Sequence, residues 1–460
     1  MNFKNITQKV PALKFLLENT PILSNLGEKE LHSSPFYLKA NLLNTEFDYI
    51  TTAQNWYFSL ENSNTLDTLI HSLEDFSGTL KRLKNGEILD DLDYFEIKKG
   101  ALTLQAIKTF LDQNPCTLFT LESVQPVIHI LDPENTQLPH FYIYSTYDDS
   151  LRDKRKLYDQ AQDQTIKDQL FLDISQIEDQ IRKRLSISLR QYTPILESNL
   201  NHIAHLDVWI AKGKLAKAWN CCRPIINNNG LKYNGLFHPI VKNRLAKENK
   251  EFQPVDINLQ HQPTLITGAN MSGKTILLKS VAFAQWMFQL GFFVPAEEAE
   301  LELVEEILFS VGDQSSEMSG LSSFAFEILF INEIIKEVKK GRKLLILVDE
   351  LARTTNPTEG TIFVNAFLEI MNQYPNFCLV TTHYSGVKTK CRRLRVKGLQ
   401  INENNRNIEP KDLNQYMDYT LIEIFNEEVP QEAIKIAQIL GVDADFLQIA
   451  QNLLNESKNN

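Results

Sequence analysis

The chain has 460 residues, 43% of them apolar and 23% charged, the make-up of an ordinary globular protein with room for two to four domains. A net charge of −11 excludes a surface that mainly coats nucleic acid, which needs a dense basic face, but leaves room for a local basic groove. Five cysteines (Cys116, Cys221, Cys222, Cys378, Cys391) form no C-x-x-C pair and no zinc spacing, and so read as free thiols.

The first 20 residues lack the basic start and apolar core of a secretory signal. The most apolar stretch, residues 280–296, is too short to span a bilayer. The expectation is a cytoplasmic enzyme without a membrane segment. Up to about Cys222 the pattern is mainly helical. Leu66, Ile70, Leu73 and Phe76 recur at three- and four-residue spacing, as do Leu170, Ile174, Ile177, Ile181 and Leu185. Residues 117–144 break that pattern: Val124, Val127, Ile128, Ile130 and the run from His140 to Tyr144 suggest short strands or an irregular insert. In residues 151–189 the polar positions are crowded with Lys, Arg, Asp and Glu, and Pro194 interrupts before a second helix that runs to about Trp219. Two helices of about 25 to 35 residues, each about 40 to 50 Å long, would form an antiparallel arm.

From about Lys232 strands alternate with helices. The expected strands are 264–267, 343–349, 377–382, 393–398 and 419–424, and the expected helices lie at 276–289, 324–339 and 361–372. That order predicts a mainly parallel sheet covered by helices. Residues 402–414 read as a polar loop and 431–457 as terminal helix.

One segment carries chemistry on its own. Gly268, Ala269, Asn270, Met271, Ser272, Gly273, Lys274 and Thr275 have the spacing of a phosphate-binding loop for ATP or GTP, with an apolar strand before it and a helix after. A glycine turn there exposes backbone N–H groups to phosphates at a helix N-terminus. Lys274 would hold the β- and γ-phosphates, and the Thr275 hydroxyl would ligate Mg²⁺. Phosphoryl transfer also needs carboxylates, and the apolar run 344–348 ends in Asp349 and Glu350. Asp349 fits a Mg²⁺ partner and Glu350 the residue that polarises the attacking water. A further strand ends at His383, which would emerge beside Asp349 as a γ-phosphate sensor if the two strands are neighbours. Ser322 and Ser323 precede a helix and could offer its N-terminal N–H groups to an anion.

Together these residues resemble the ATPase domain of the MutS family, the mismatch-repair branch of the ABC-type ATPases. Residues 267–275 are similar to the family's T-G-P-N-M-G-G-K-S/T, including the Asn270-Met271 pair. Val294-Pro-Ala, Phe309-Ser-Val-Gly-Asp313 and Gly320-Leu-Ser-Ser-Phe324 resemble V-P-A, F-x-R-I-G-A and G-x-S-T-F. Residues 349–360 resemble D-E-x-G-x-G-T-x-P-x-E-G, with Ala352, Thr354 and Asn356 where the family usually has Gly, Gly and Ser or Asp. Thr382-His383-Tyr384 is similar to T-H-Y/F and Phe237-His-Pro239 to R-H-P.

The resemblance implies an ABC-type P-loop NTPase domain over residues 231–460, following a mainly α-helical core or lever domain with a short arm over 1–230. It further implies a homodimer with two Mg²⁺-dependent ATP sites at the subunit interface. The Ser322-Ser323 loop of one copy would complete the site of the other, Phe252 would stack on adenine, and residues 428–454 would form a dimer-locking tail. No Phe-x-Glu mismatch wedge and no C-terminal nuclease-like module is recognisable. The function implied is ATP turnover coupled to binding of mismatched or branched DNA in repair or recombination. An alternative is a protein-remodelling ATPase, because MutS-like proteins with a similar Ala-Arg-Thr-Thr-Asn-Pro stretch accompany lysine 5,6-aminomutase and resemble its reactivase component.

Overall fold

The computed structural model describes residues 3, 6, 10–138, 140–268, 272–310, 323–353, 355–400, 416–425 and 433–459. The chain divides into two compact units: one holds Met1–Pro35 and Asp48–Leu215, the other Phe36–Phe47 and Ala216–Asn460.

The first unit is helical: α1 (Pro11–Asn19), α2 (Asn25–Ser33), α3 (Ala40–Ser59), α4 (Ser63–Ser72), α5 (Ser77–Lys84), α6 (Asp91–Gln113), α7 (Gln125–Leu131), α8 (Asp149–Gln160), α9 (Gln164–Arg190) and α10 (Thr193–Trp219), the division between units falling inside α3 and α10. The stripe Leu66, Ile70, Leu73 and Phe76 joins Tyr94, Ile97, Leu104, Leu185, Leu189 and Leu200 in one apolar core. Helix α6 starts where Asp90 and Asp93 cap each other's backbone N–H groups, satisfying two otherwise orphaned donors. Asp207 of α10 accepts hydrogen bonds from Leu23 N (3.1 Å), Ser24 N (2.8 Å) and the Ser24 hydroxyl (2.7 Å), fixing the start of α2. Gly27 has to lack a side chain there, since a Cβ would lie 2.3 Å from the Asp207 carboxylate.

Two expectations for this unit need correction. Residues 117–144, read as short strands or an irregular insert, contain no strand among those described and are irregular except for α7. Val124, Val127, Ile128 and Leu131 are buried at helical spacing around α7, so β-branched composition misled where the spacing did not. The span 151–189 is not one helix either: Asp163 caps α9 by accepting from Thr165 N and Ile166 N, so α8 ends at Gln160. Helix α8 then packs back on α9 through Lys154–Asp173 and Arg155–Glu178 pairs.

Inside this core lies a fully buried ion pair, Lys98 Nζ to Asp132 Oδ1 at 3.0 Å, with Tyr144 OH accepting from the same amine at 2.9 Å. Burial pushes the Asp132 carboxyl up, but hydrogen bonds from Gln137 N, Thr136 and Lys98 outweigh it and bring the group to about 2. Lys98→Met strands that carboxylate and is expected to cost about 3–5 kcal/mol in urea unfolding, where an unchanged midpoint would show that the pair is dispensable.

The second unit holds two sheets. The larger has the order β10-β9-β4-β8-β7-β6, from β4 (Pro263–Thr267), β6 (Glu306–Ser310), β7 (Leu344–Val348), β8 (Phe377–Thr382), β9 (Arg392–Leu399) and β10 (Met417–Glu423). Its pairings are parallel except β9 with β10. Alternation along the strands separates two faces. Leu265, Ile346, Val348, Cys378 and Val380 pack with α13 (Ser323–Lys339) and α14 (Pro357–Met371) in one cluster, while α12 (Lys274–Gln289) contacts β6, β7 and β8 outside it. The smaller sheet, β1 (Ile225–Ile226), β5 (Glu298–Leu301), β2 (Leu231–Leu236) and β3 (Val255–Leu259) in spatial order, was not expected from the sequence. The remaining helices are α11 (Pro239–Lys247), α15 (Ala433–Ile439) and α16 (Ala444–Asn459). No helix among the described residues is long and apolar enough to cross a membrane.

Candidate functional site

Parallel strands place their C-terminal ends on one edge, and here that edge collects the chemistry. The register pairs Thr267 of β4 with Thr382 of β8, and Val348 of β7 with Val380 of β8. The segments leaving β4, β7 and β8 therefore start side by side.

Strand β4 runs into Gly268, and Gly273 (φ 78°) opens α12 in the left-handed conformation that suits glycine. A second constraint acts on Gly273, because a Cβ there would lie 2.9 Å from the Tyr419 ring. Lys274 is 5% exposed, and its Nζ donates to Gly268 O (2.9 Å) across the loop. Burial lowers the pKa of that amine, with the charges of Glu350 and Asp349 opposing the shift. Ala269, Asn270, Met271 and Ser322 lie outside the described residues, and Ser323 is described only as the first residue of α13.

The two carboxylates at the end of β7 differ in their partners. Asp349 accepts from the Thr275 hydroxyl at Oδ2 (2.6 Å) and from the Thr381 hydroxyl at Oδ1 (2.7 Å). Thr381 Oγ1 also accepts from Glu350 N (2.9 Å), so one threonine of β8 orients both residues. Glu350 instead, with its side chain 18% exposed, has Arg353 at 3.4 Å and His383 Nδ1 at 4.0 Å from its oxygens. Thr275 and Asp349 bring together hard oxygen donors of the kind that would suit Mg²⁺. No cluster of three or more His, Cys, Asp or Glu suited to a metal occurs among the described residues.

A cavity of about 1400 Å³ opens beside these groups, and its lining includes Ser272, Lys274, Thr275, Glu350 and His383 together with Phe252, Gln253 and Tyr419. Gln253 Oε1 accepts from Tyr419 N (2.9 Å), and Gln253 Nε2 donates to Asp418 Oδ1 (3.0 Å), joining the segment before β3 to β10. Of the residues named from the sequence, Phe252, Ser272, Gly273, Lys274, Thr275, Glu350 and His383 line this cavity, while Gly268 and Asp349 adjoin it through Lys274 and Thr275, and Ser323 is not among the lining. Thr381, Gln253 and Tyr419 were not foreseen. Thr381 stands next to the T-H-Y segment and could have been found there, whereas the placing of Tyr419 over Gly273 depends on β10 reaching the loop.

Residues 264–458 match the family model of MutS domain V, a P-loop ATPase domain. Residues 264–458 thus carry a domain of the MutS family. It is similar to an endonuclease MutS2 of Ruminiclostridium cellulolyticum, 35% identical over 214 residues, which are 46% of this chain and 26% of the relative. A Lactobacillus helveticus endonuclease MutS2 is 31% identical over 285 residues, covering 60% of this chain and 33% of the relative. An Agathobacter rectalis endonuclease MutS2 is 28% identical over 293 residues, covering 63% and 35%. The chain thus spans about a quarter to a third of the length of these curated relatives.

Proposed function

We propose that this MutS-family chain is a Mg²⁺-dependent ATPase of ABC-type architecture that works as a homodimer and couples ATP turnover to DNA binding, of mismatched or branched structure, in repair or recombination. The observation that carries the catalytic part is that Lys274, Thr275, Glu350 and His383 line one cavity large enough for a nucleotide, with Asp349 behind them hydrogen-bonded to Thr275.

In this reading Lys274 holds the β- and γ-phosphates, and Phe252 stacks on the adenine. Thr275 and Asp349 would hold Mg²⁺, whose chemistry is to neutralise charge between those phosphates. Glu350 accepts a hydrogen bond from the attacking water, and His383, at 4.0 Å from Glu350, reaches the same region as a γ-phosphate sensor. Gly268, Ala269, Asn270, Met271, Ser272 and Gly273 wrap the phosphates with backbone N–H groups. Ser322 and Ser323 of a second copy complete the site. The dimer is supported by α16, whose Phe446, Ile449 and Leu453 are 60% exposed or more at spacing that puts them on one helix face. The DNA part rests on family membership.

Steady-state ATP hydrolysis at low and physiological salt, with and without duplex, mismatched and branched DNA, tests both parts. Stimulation of about fivefold or more by one DNA, weakening steeply as salt rises, is the expected result, since phosphate contacts release counterions. Hydrolysis indifferent to every DNA would remove the DNA part and point to a protein client. Absence of hydrolysis under all conditions would remove the ATPase.

A further inference from the structure

The turn that carries Glu350 is unusual in its backbone. Glu350 (φ 51°) and Ala352 (φ 61°) both occupy the left-handed region, and neither is glycine. Such residues stay there only when their surroundings over-determine them. Ala352 is fully buried, so its N–H and C=O need partners within the protein. The N–H donates to Glu327 Oε1 at 2.6 Å, and the C=O accepts from Tyr384 OH at 2.6 Å, with Thr355 N as a second donor at 3.2 Å.

These two side chains come from separate elements. Glu327 belongs to α13, and burial raises its carboxyl against the Ala352 N–H bond. Tyr384 directly follows His383, and its ring lies on Gly360 of α14, where a Cβ would come within 2.5 Å of the phenol. The absence of a side chain at 360 is what admits the ring.

We propose that Glu327 and Tyr384 are positioning residues that clamp the 350–353 turn in its left-handed form and thereby aim the Glu350 carboxylate into the nucleotide cavity. The inference rests on the reading of Glu350 as the water-polarising group. It also ties that carboxylate to α13 on one side and to the end of β8 on the other, so a displacement of either element moves Glu350.

The test is steady-state and single-turnover ATP hydrolysis by the full chain, alongside nucleotide affinity measured with a fluorescent ATP analogue. Glu327→Ala and Tyr384→Phe are each expected to lower kcat about 5- to 20-fold, with nucleotide affinity changed by less than about twofold, because they disturb the aim of Glu350 and leave the phosphate loop intact. Glu327→Gln keeps an acceptor for Ala352 N and is expected to stay within about threefold of the parent kcat. Adding Ala352→Gly removes the steric penalty of the left-handed backbone and is expected to restore kcat of Glu327→Ala by about threefold or more. A merely structural role would not give that rescue.

Tyr384→Phe keeps the ring on Gly360 and deletes only the hydroxyl, so it decides the matter if Glu327→Ala fails to fold. Unchanged kcat in Tyr384→Phe, or equal loss of kcat and nucleotide affinity, overturns the proposal. Glu350→Gln, run in parallel, separates the two failures. If it hydrolyses ATP normally, the reading of Glu350 falls and the clamp with it. If it is slow while both clamp variants are normal, only the clamp falls.

Discussion

Lys274→Ala is expected to weaken ATP binding by about a hundredfold or more, from the loss of a charged hydrogen-bond donor in a water-poor site. The size of the effect comes from where the amine sits. At 5% exposure it is held by Gly268 O, and Asp349 and Glu350 are the charges that sustain it. Removing it takes away the one described cation in the loop and leaves two carboxylates facing an anionic ligand. Each tenfold in affinity is about 1.4 kcal/mol, so two decades ask for about 3 kcal/mol, within reach of one desolvated charge contact.

The fold should not share this loss. The folded-state pKa of Lys274 lies below its usual value, so folding disfavours the charged form. That cost is present at neutral pH and shrinks as pH rises through the lowered pKa toward the unfolded one. Alanine removes the cost, so the unliganded variant should melt no earlier than the parent, while the upward shift in Tm that ATP gives the parent disappears. Calorimetric titration and thermal melting with and without ATP measure both. ATP affinity equal to that of the parent would sink the phosphate-loop assignment.

Much of this site was legible because buried parallel strands are almost continuously apolar. Residues 344–348 and 377–382 announce themselves, and the residues directly after each strand must lie at the sheet edge. The neighbouring of β7 and β8, on which the placing of His383 depended, was a condition the sequence left open and the register supplies. Other parts were hidden for physical reasons. Strand β2 carries Lys232, Asn234 and Gly235 between its apolar residues, and β1 spans two residues, so neither gives a strong strand signal. Helix α7 is short and rich in β-branched residues, so local composition pointed the wrong way until tertiary packing decided it. Ala352 stands where the family usually has glycine, a departure visible in the sequence. That it keeps the left-handed backbone, with Glu327 and Tyr384 holding both its polar groups, depends on contacts across 25 and 32 residues of chain.

Glu350→Gln is expected to leave ATP binding within about threefold of the parent and to lower kcat by about a hundredfold to a thousandfold, within the usual range for loss of a general base. Glutamine is the informative replacement because it matches the size of glutamate, and because the backbone bond from Glu350 N to Thr381 Oγ1 survives it. The left-handed backbone at 350 is likewise no harder for Gln than for Glu. The substitution takes away the negative charge that polarises water, while Lys274, Thr275 and Asp349 keep their own contacts. The variant should therefore accumulate in an ATP-bound state, measurable as a long-lived complex in single-turnover quench experiments. Set beside Lys274→Ala, it separates binding from chemistry: one substitution removes affinity, the other turnover at full occupancy. Parent-like turnover by Glu350→Gln would leave the positioning of the attacking water to other groups at the same edge, and His383, 4.0 Å from the carboxylate, is a candidate acceptor already in place.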